Sequence, residues 1–229
     1  MSFGDGQSRH IESPQETIGG LVQHVVYGIV TNSVYKLKCY PLYRNRGRIE
    51  MNVREILDAG RATKEEAIEL LDSLEPIDVD FMIGDWKGEG FQTNHPMDGL
   101  LEAYHWHGKS FENPEDVHPL VFSTLRGGLA SVGPFFMGPL LRVPMPKSAM
   151  LGRIFQVFMP FLTTSRSKAR LRMTTYRGKS SATMIYDQLP INDVFRKIDQ
   201  DTVFGVMDLK GMESPFFFIL RREHGLTRR

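Results

Sequence analysis

The chain has 229 residues, 41% hydrophobic and 24% charged, so it can bury a core without covalent staples and sits among globular proteins. Its 28 basic and 27 acidic residues leave a formal charge of +1, and no global field exists to hold nucleic acid or an anionic membrane. The single cysteine, Cys39, excludes an internal disulfide and a cysteine-based zinc site; it reads as a buried inert thiol in a reducing, cytoplasmic setting.

The N-terminal stretch MSFGDGQSRHIESPQET lacks the basic start and apolar core of a secretory signal. Residues 18–30, IGGLVQHVVYGIV, are apolar but contain Gln23 and His24 and fall short of the roughly 18 residues a span requires. They read as an amphipathic helix or packing segment, with a membrane-surface role as the alternative. Residues 1–50 otherwise carry no clear pattern, and RNRGR at 44–48 reads as a solvated loop. Asn52 is placed to cap a short helix over Val53, Ile56 and Leu57, which Gly60 ends. In TKEEAIELLDSLEP, Thr63 and Glu66 stand at capping-box spacing. Ala67, Leu70, Leu71 and Leu74 follow at helical intervals and Pro76 stops the helix.

Beyond Pro76 the period becomes two. Val79, Phe81 and Ile83 alternate with Asp80, Met82 and Gly84, and Leu101, Ala103 and His105 alternate with Glu102, Tyr104 and Trp106, so both stretches read as strands. Residues 125–165 are rich in Gly, Pro, Met and Phe. Prolines at 134, 139, 144, 146 and 160 argue against a long helix or central strand, while the apolar content argues against disorder. This segment either packs as edge strands or forms a lid whose side chains adapt to a hydrophobic ligand. Two hairpins follow: ARLRMTTY (169–176) with SATMIYD (181–187) around RGKS, and TVFGVMD (202–208) with PFFFILRR (215–222) around LKGMES. Between them, PINDVFRKID places Ile191, Val194, Phe195 and Ile198 on one helical face, read as a short helix crossing a barrel end.

The motif FMIGDWKGEGF at 81–91 and the cluster NHPMDGLLEAYHWHGKSFENPEDVHPLVF that follows resemble the GXWXG domain. Residues 169–222, from ARLRMTTYRG to FFFILRR, resemble the domain of unknown function that accompanies it. The resemblance covers about residues 63–222 and implies a mainly β fold with minor α: a lipocalin-like antiparallel barrel of about eight to ten strands, with N-terminal helices and one short helix near a barrel end. It implies no general activity. A wider similarity links the glycine-flanked tryptophan to lipocalins, fatty-acid-binding proteins and nitrobindins. Closure also has its own physical logic, because it removes the sheet edges and leaves room for one small ligand. The expected organisation is an N-terminal segment, 1–50, and one barrel domain, 51–222, built from a GXWXG part (63–124), the lid-like segment (125–165) and a C-terminal part (166–222).

Within such a barrel Trp86 reads first as a plug across the mouth, stacked by Arg221 or Arg222. His95 and Asp98 in NHPMDG pair within a turn, or, facing the cavity, serve as proton donor and acceptor. Arg170, Arg172, Thr174 and Tyr176 share one strand face, either as an exposed ladder or, like Tyr186, as buried donors to a carbonyl or carboxylate. The candidate catalytic set is therefore His95, Asp98, Arg172, Tyr176 and Tyr186. The candidate ligand-lining set is Trp86, Tyr104, Trp106, His118, Phe135, Phe136, Met137, Phe158, Met173, Met184 and Met207. His105 and His107 stand at a spacing compatible with metal but lack a clear third ligand, so no metal is expected. Nucleotide-binding and hydrolase motifs are absent, and no cofactor is expected.

These residues suggest a cofactor-independent cyclase or isomerase, including a pericyclic or Diels–Alder-type cyclase, acting on a hydrophobic natural-product-like substrate. The alternative is a non-catalytic carrier or sensor of a fatty acid or similar molecule. A third reading, haem binding as in nitrobindins, needs an axial histidine near the barrel end, and FFFILRR has none. The expected partner is a hydrophobic small molecule; nucleic acid and a membrane span are not expected, and a homodimer is compatible with the chain.

Overall fold

The computed structural model describes residues 27–30, 33–36, 46–134 and 147–224. The chain divides into two compact units, residues 1–46 and 47–229. In the first, β1 (Tyr27–Val30) and β2 (Ser33–Lys36) form an antiparallel hairpin. The helix α1 (Arg46–Ala59) leads into the second and starts earlier than the Asn52 cap suggests, so residues 46–48 are helical rather than loop. The helix α2 (Lys64–Ser73) begins on the expected capping box: the Glu66 N–H donates to Thr63 Oγ1 at 3.2 Å, and the Thr63 N–H donates to Glu66 Oε2 at 2.8 Å.

Eight antiparallel strands close into a ring. They are β4 (Gly84–Phe91), β5 (Trp106–Phe111), β6 (Val117–Ser123), β8 (Ala169–Tyr176), β9 (Lys179–Tyr186), β10 (Ile191–Lys197), β11 (Thr202–Leu209) and β12 (Phe216–Glu223). Their order around the barrel is β11-β12-β4-β5-β6-β8-β9-β10, and β10 pairs back onto β11. Two short strands are added, β3 (Glu75–Pro76) on β10 and β7 (Leu129–Ser131) on β6.

Alternation sorts the side chains. Inward residues such as Met184, Phe195, Met207 and Phe218 form one cluster filling the barrel. Outward residues Phe91, Val194, Phe204, Val206, Phe217 and Ile219 form a second with Ala67, Leu70 and Leu71 of α2. The thinnest seam lies between β6 and β8, which share only the pair Val117 and Ala169. There the Ser167 hydroxyl substitutes for ladder partners, accepting from the Val117 N–H at 3.0 Å and donating to the Glu115 carbonyl at 2.9 Å.

Residues 27–30 are strand rather than the end of an amphipathic helix, and Ala149–Phe158 is helical, between Pro146 and Pro160, rather than an edge strand. Three further stretches differ from the sequence reading. Val79–Met82 is a helical turn, α3, because Asp78 caps it by accepting from the Phe81 N–H at 2.8 Å. Leu100–Ala103 is likewise a helical turn, α4, and the strand that follows starts only at Trp106. Ile191–Lys197, read as a helix, is β10; its apolar residues satisfy both periods, and pairing with β9 and β11 decides between them. The short helix beside the barrel interior is thus α3, whose Phe81 ring centroid lies 6.1 Å from that of Trp86.

The tryptophan motif locks this end. Trp86 is fully buried, and its indole N–H donates to the Met82 carbonyl at 2.8 Å. Of the two candidate arginines, Arg222 stacks, with its guanidinium 4.2 Å from the ring centroid. The same group donates to the carbonyls of Phe81 at 2.6 Å and Ile83 at 2.8 Å, satisfying the exposed end of α3. Gly84 enters the strand at φ +126°, a conformation L side chains rarely adopt. Gly88 serves packing: any Cβ there would run into the Trp106 ring. Gly88→Ala is therefore expected to push Trp106 off the strand and lower the unfolding free energy by about 1–3 kcal/mol. Urea denaturation followed by tryptophan fluorescence checks this, and an unchanged midpoint would contradict the packing.

Candidate functional site

Inside the apolar barrel lies a buried ion pair. Lys109 Nζ stands 2.8 Å from Asp193 Oδ2, with side chains 4% and 2% exposed. Both strands aim these groups by simple geometry. On β10, Asp193 shares the inward face with Ile191 and Phe195. On β5, Trp106 and Lys109 are three residues apart and would normally face opposite sides. Register shifts at Gly108 bring both inward. Three rings surround the ammonium, with centroids 5.1 Å (Phe218), 5.5 Å (Trp106) and 5.8 Å (Tyr186) away. Lys109 also donates to the Pro119 carbonyl at 3.3 Å.

Burial raises the Asp193 carboxyl above its ordinary range, and the charge and hydrogen bond of Lys109 oppose that rise. Burial likewise raises the Tyr186 phenol well above its usual value, with the Asp193 charge adding to the effect, so Tyr186 stays protonated. Asp193 Oδ1, the Trp106 indole N–H and the amide of Gln156 are buried polar atoms without a hydrogen-bond partner among the described residues, as are Asp98 Oδ1 and Arg196 Nε.

Gln156 belongs to α5 (Ala149–Phe158), which continues as a 3₁₀ turn at Met159–Phe161. The Phe155 ring packs 5.1 Å from Phe122 and 5.6 Å from Tyr104. Any Cβ at Gly152 would meet the Ala103 carbonyl, so α5 lies directly on the end of α4. Its inner face thereby joins the barrel's apolar interior, with Met159 fully part of it.

The structure distributes the sequence-derived candidates widely. Tyr186, Trp86, Trp106, Met184 and Met207 line the interior, and Tyr104 packs at its edge against Phe155. Arg172 stands outside the barrel, 2.6 Å from Glu115, and Tyr176 belongs to the outer cluster beneath the helices. Both occupy the outward parity of β8, opposite the inward Leu171, so neither faces the interior as a donor. Phe158 and Met173 are 58% and 47% exposed. His118 is buried on β6, with Nε2 3.4 Å from Glu112 Oε1. Phe135, Phe136 and Met137 lie outside the described residues. His105 is exposed with φ +59°, just before β5, whereas the His107 ring bonds Glu223 at 2.7 Å.

His95 and Asp98 form a turn rather than a ring–carboxylate pair. Asp98 Oδ2 accepts from the backbone N–H groups of Thr93 at 2.9 Å and His95 at 2.8 Å. The His95 Nδ1 accepts from the Met97 N–H at 3.1 Å, so Nε2 carries the proton donated to the Ser214 carbonyl at 3.1 Å. Burial holds this imidazole below its ordinary range. Both residues border an open cleft of about 860 Å³ that also includes Arg61, Lys64 and Lys147. With both ring nitrogens engaged, His95 staples a loop and has no free position for proton transfer.

The pair that matters most electrostatically was the hardest to read. Lys109 stood within the aromatic and histidine cluster without a defined role, and Asp193 fell on the polar side of the supposed 191–198 helix. HGKSF and INDVF each hold other polar residues beside the charge, so no local signal marked either charge as enclosed.

The chain matches the GXWXG protein family over residues 69–127 and the Domain of unknown function (DUF4334) over residues 167–222. A solved structure, "Crystal structure of protein from Thermomonospora curvata", is 31% identical with a TM-score of 0.58, and the match covers 77% of this chain and 99% of that one. The chain belongs to the GXWXG family, carrying its companion DUF4334 domain in the same barrel. No curated protein matches the chain significantly.

Two outcomes follow from the site. Lys109→Met strands a carboxylate in the core and should cost about 3–5 kcal/mol near neutral pH. Asp193 in this variant has a folded pKa above the unfolded value of about 3.9, so the lost stability returns as pH falls through the folded pKa toward the unfolded one. Lys109→Met/Asp193→Leu should recover most of the loss at neutral pH; chemical denaturation against pH reads both effects. For His95 the sign is opposite in pH. Its folded pKa lies below the unfolded value of about 6.5, so its contribution is complete above that value and lost as pH falls through the folded pKa. The wild type should therefore lose stability on mild acidification relative to His95→Asn.

Proposed function

We propose that the barrel binds a lipophilic small molecule bearing a neutral carbonyl and isomerises or cyclises it without a cofactor. The observation carrying this reading is the Lys109–Asp193 pair, two opposite charges enclosed by Trp106, Tyr186 and Phe218 inside an apolar barrel. Such a pair is expensive to bury and contributes little net stability compared with apolar packing, which favours a chemical use.

In this reading Lys109 donates to the substrate carbonyl and polarises it, while the free oxygen of Asp193 accepts a proton from an adjacent carbon. Return of that proton to a different carbon completes an isomerisation; bond formation from the polarised, folded substrate completes a cyclisation. Tyr186, held protonated, is a second donor. The pair is neutral as a whole, so a carboxylate ligand would add like charge beside Asp193. That argument favours a carbonyl compound over a fatty acid, and the enzyme over the carrier.

Native mass spectrometry of freshly purified wild type, Lys109→Met and Asp193→Asn, followed by organic extraction, tests the proposal. The expected result is one molecule per chain, with the variants retaining a compound of the same mass as the wild-type product but a different structure. The same fatty acid from all three would establish the carrier instead, and a Soret band would establish haem binding.

A further inference from the structure

The chain's near-neutral charge conceals a strong segregation. Residues 117–186 contain ten of the 28 Lys and Arg residues and none of the 27 Asp and Glu, leaving 18 basic against 27 acidic elsewhere. The exposed large hydrophobics among the described residues fall in the same region: Leu125, Leu129, Met150, Ile154, Val157, Phe158, Phe161 and Met173. Five of them follow one face of α5 and its 3₁₀ extension at helical spacing, from Met150 at 68% exposed to Phe161 at 85%. Arg126, Lys147, Arg153 and Arg166 are exposed on the same stretch and have no ion-pair partner among the described residues. Scattered exposed apolar residues are ordinary; a continuous stripe whose own stretch of sequence carries only positive charge is not.

We propose that α5 and its flanks form a docking face for an anionic lipid surface, with Ile154, Val157, Phe158 and Phe161 entering the acyl boundary and the four basic residues meeting lipid phosphates. The charge pattern selects this occupant. An acidic headgroup layer complements an apolar stripe borne on an acid-free, basic stretch of sequence, whereas a second copy would bring the same positive charges against it. No helix among the described residues is long and apolar enough to cross a membrane, so the contact lies along the surface. The opposite face of α5 carries Phe155 and Met159 into the barrel interior, so docking would set a lipophilic ligand's source beside the barrel. Docking itself does not depend on the proposed reaction.

The test is co-sedimentation with vesicles of phosphatidylcholine alone and with about one third phosphatidylserine. Wild type is expected to bind the anionic vesicles at least about tenfold more tightly, with the difference shrinking in high salt. Phe158→Asp/Phe161→Asp, at exposed positions that leave the barrel folded by circular dichroism, should weaken binding about tenfold or more. Arg153→Glu/Arg166→Glu should abolish the preference for phosphatidylserine. Absence of vesicle binding, or equal binding by wild type and the Phe variant, overturns the proposal. So does a wild-type dimer in sedimentation equilibrium that Phe158→Asp/Phe161→Asp converts to monomer, which would assign the face to a second copy. Because ligand extraction and vesicle binding are read separately, failure of one leaves the other standing.

Discussion

Closure of the eight-stranded ring is the constraint on which the rest of the structure depends. A closed antiparallel sheet has no free edge and a single interior, so every inward side chain must share one enclosed volume. The closure is uneven. Most neighbours pair over several residues, whereas β6 and β8 meet at Val117 and Ala169 alone, supplemented by the Ser167 hydroxyl. The chain leaves the barrel beside this seam, runs through β7 and returns through α5, whose Phe155 and Met159 complete the apolar interior. The far end is held differently, by Trp86 between Arg222 and the carbonyls of α3. One end is thus tied by a half-buried cation over a ring, and α5 packs on Phe122, Tyr104 and the end of α4.

That enclosure changes the meaning of two charges. On a surface, Lys109 and Asp193 would be a screened pair of little consequence. Inside the barrel each is deprived of water and depends on the other, on the Pro119 carbonyl and on the aromatic quadrupoles around the ammonium. The unpartnered oxygen of Asp193 shows that the pair is satisfied on one side only among the described residues. A site of this kind is costly to keep for stability alone, which motivates the proposed function.

The two faces of α5 link the interior to the surroundings. Its inner residues belong to the barrel core, while its outer residues are apolar, exposed and set in a stretch without acidic side chains. A formal charge of +1 excludes a global attraction to anionic surfaces and says nothing of a local one. The distribution of charge along the chain, combined with the position of one helix, carries the information that the total cancels.

Much of the architecture was legible in the sequence where local signals were unambiguous. Thr63 and Glu66 announced α2, the two C-terminal hairpins followed from alternation around glycine-containing turns, and the resemblance to the lipocalin pattern implied an arginine stacked on Trp86 near the last strand. Residues 79–82 and 191–197 were misread because a few apolar residues satisfy two periods, and only Asp78 capping or strand pairing chooses between them. By itself the sequence determined which segments can bury an apolar face and where chain reversals fall. Tertiary structure alone decided which polar groups share the interior. Arg172 and Tyr176 turn outward by the parity of β8, while Lys109 turns inward through the register shift at Gly108 to meet an aspartate 84 positions later. A strand's parity is relative until pairing sets which face is enclosed, so a charged residue's exposure cannot be assigned before the barrel closes.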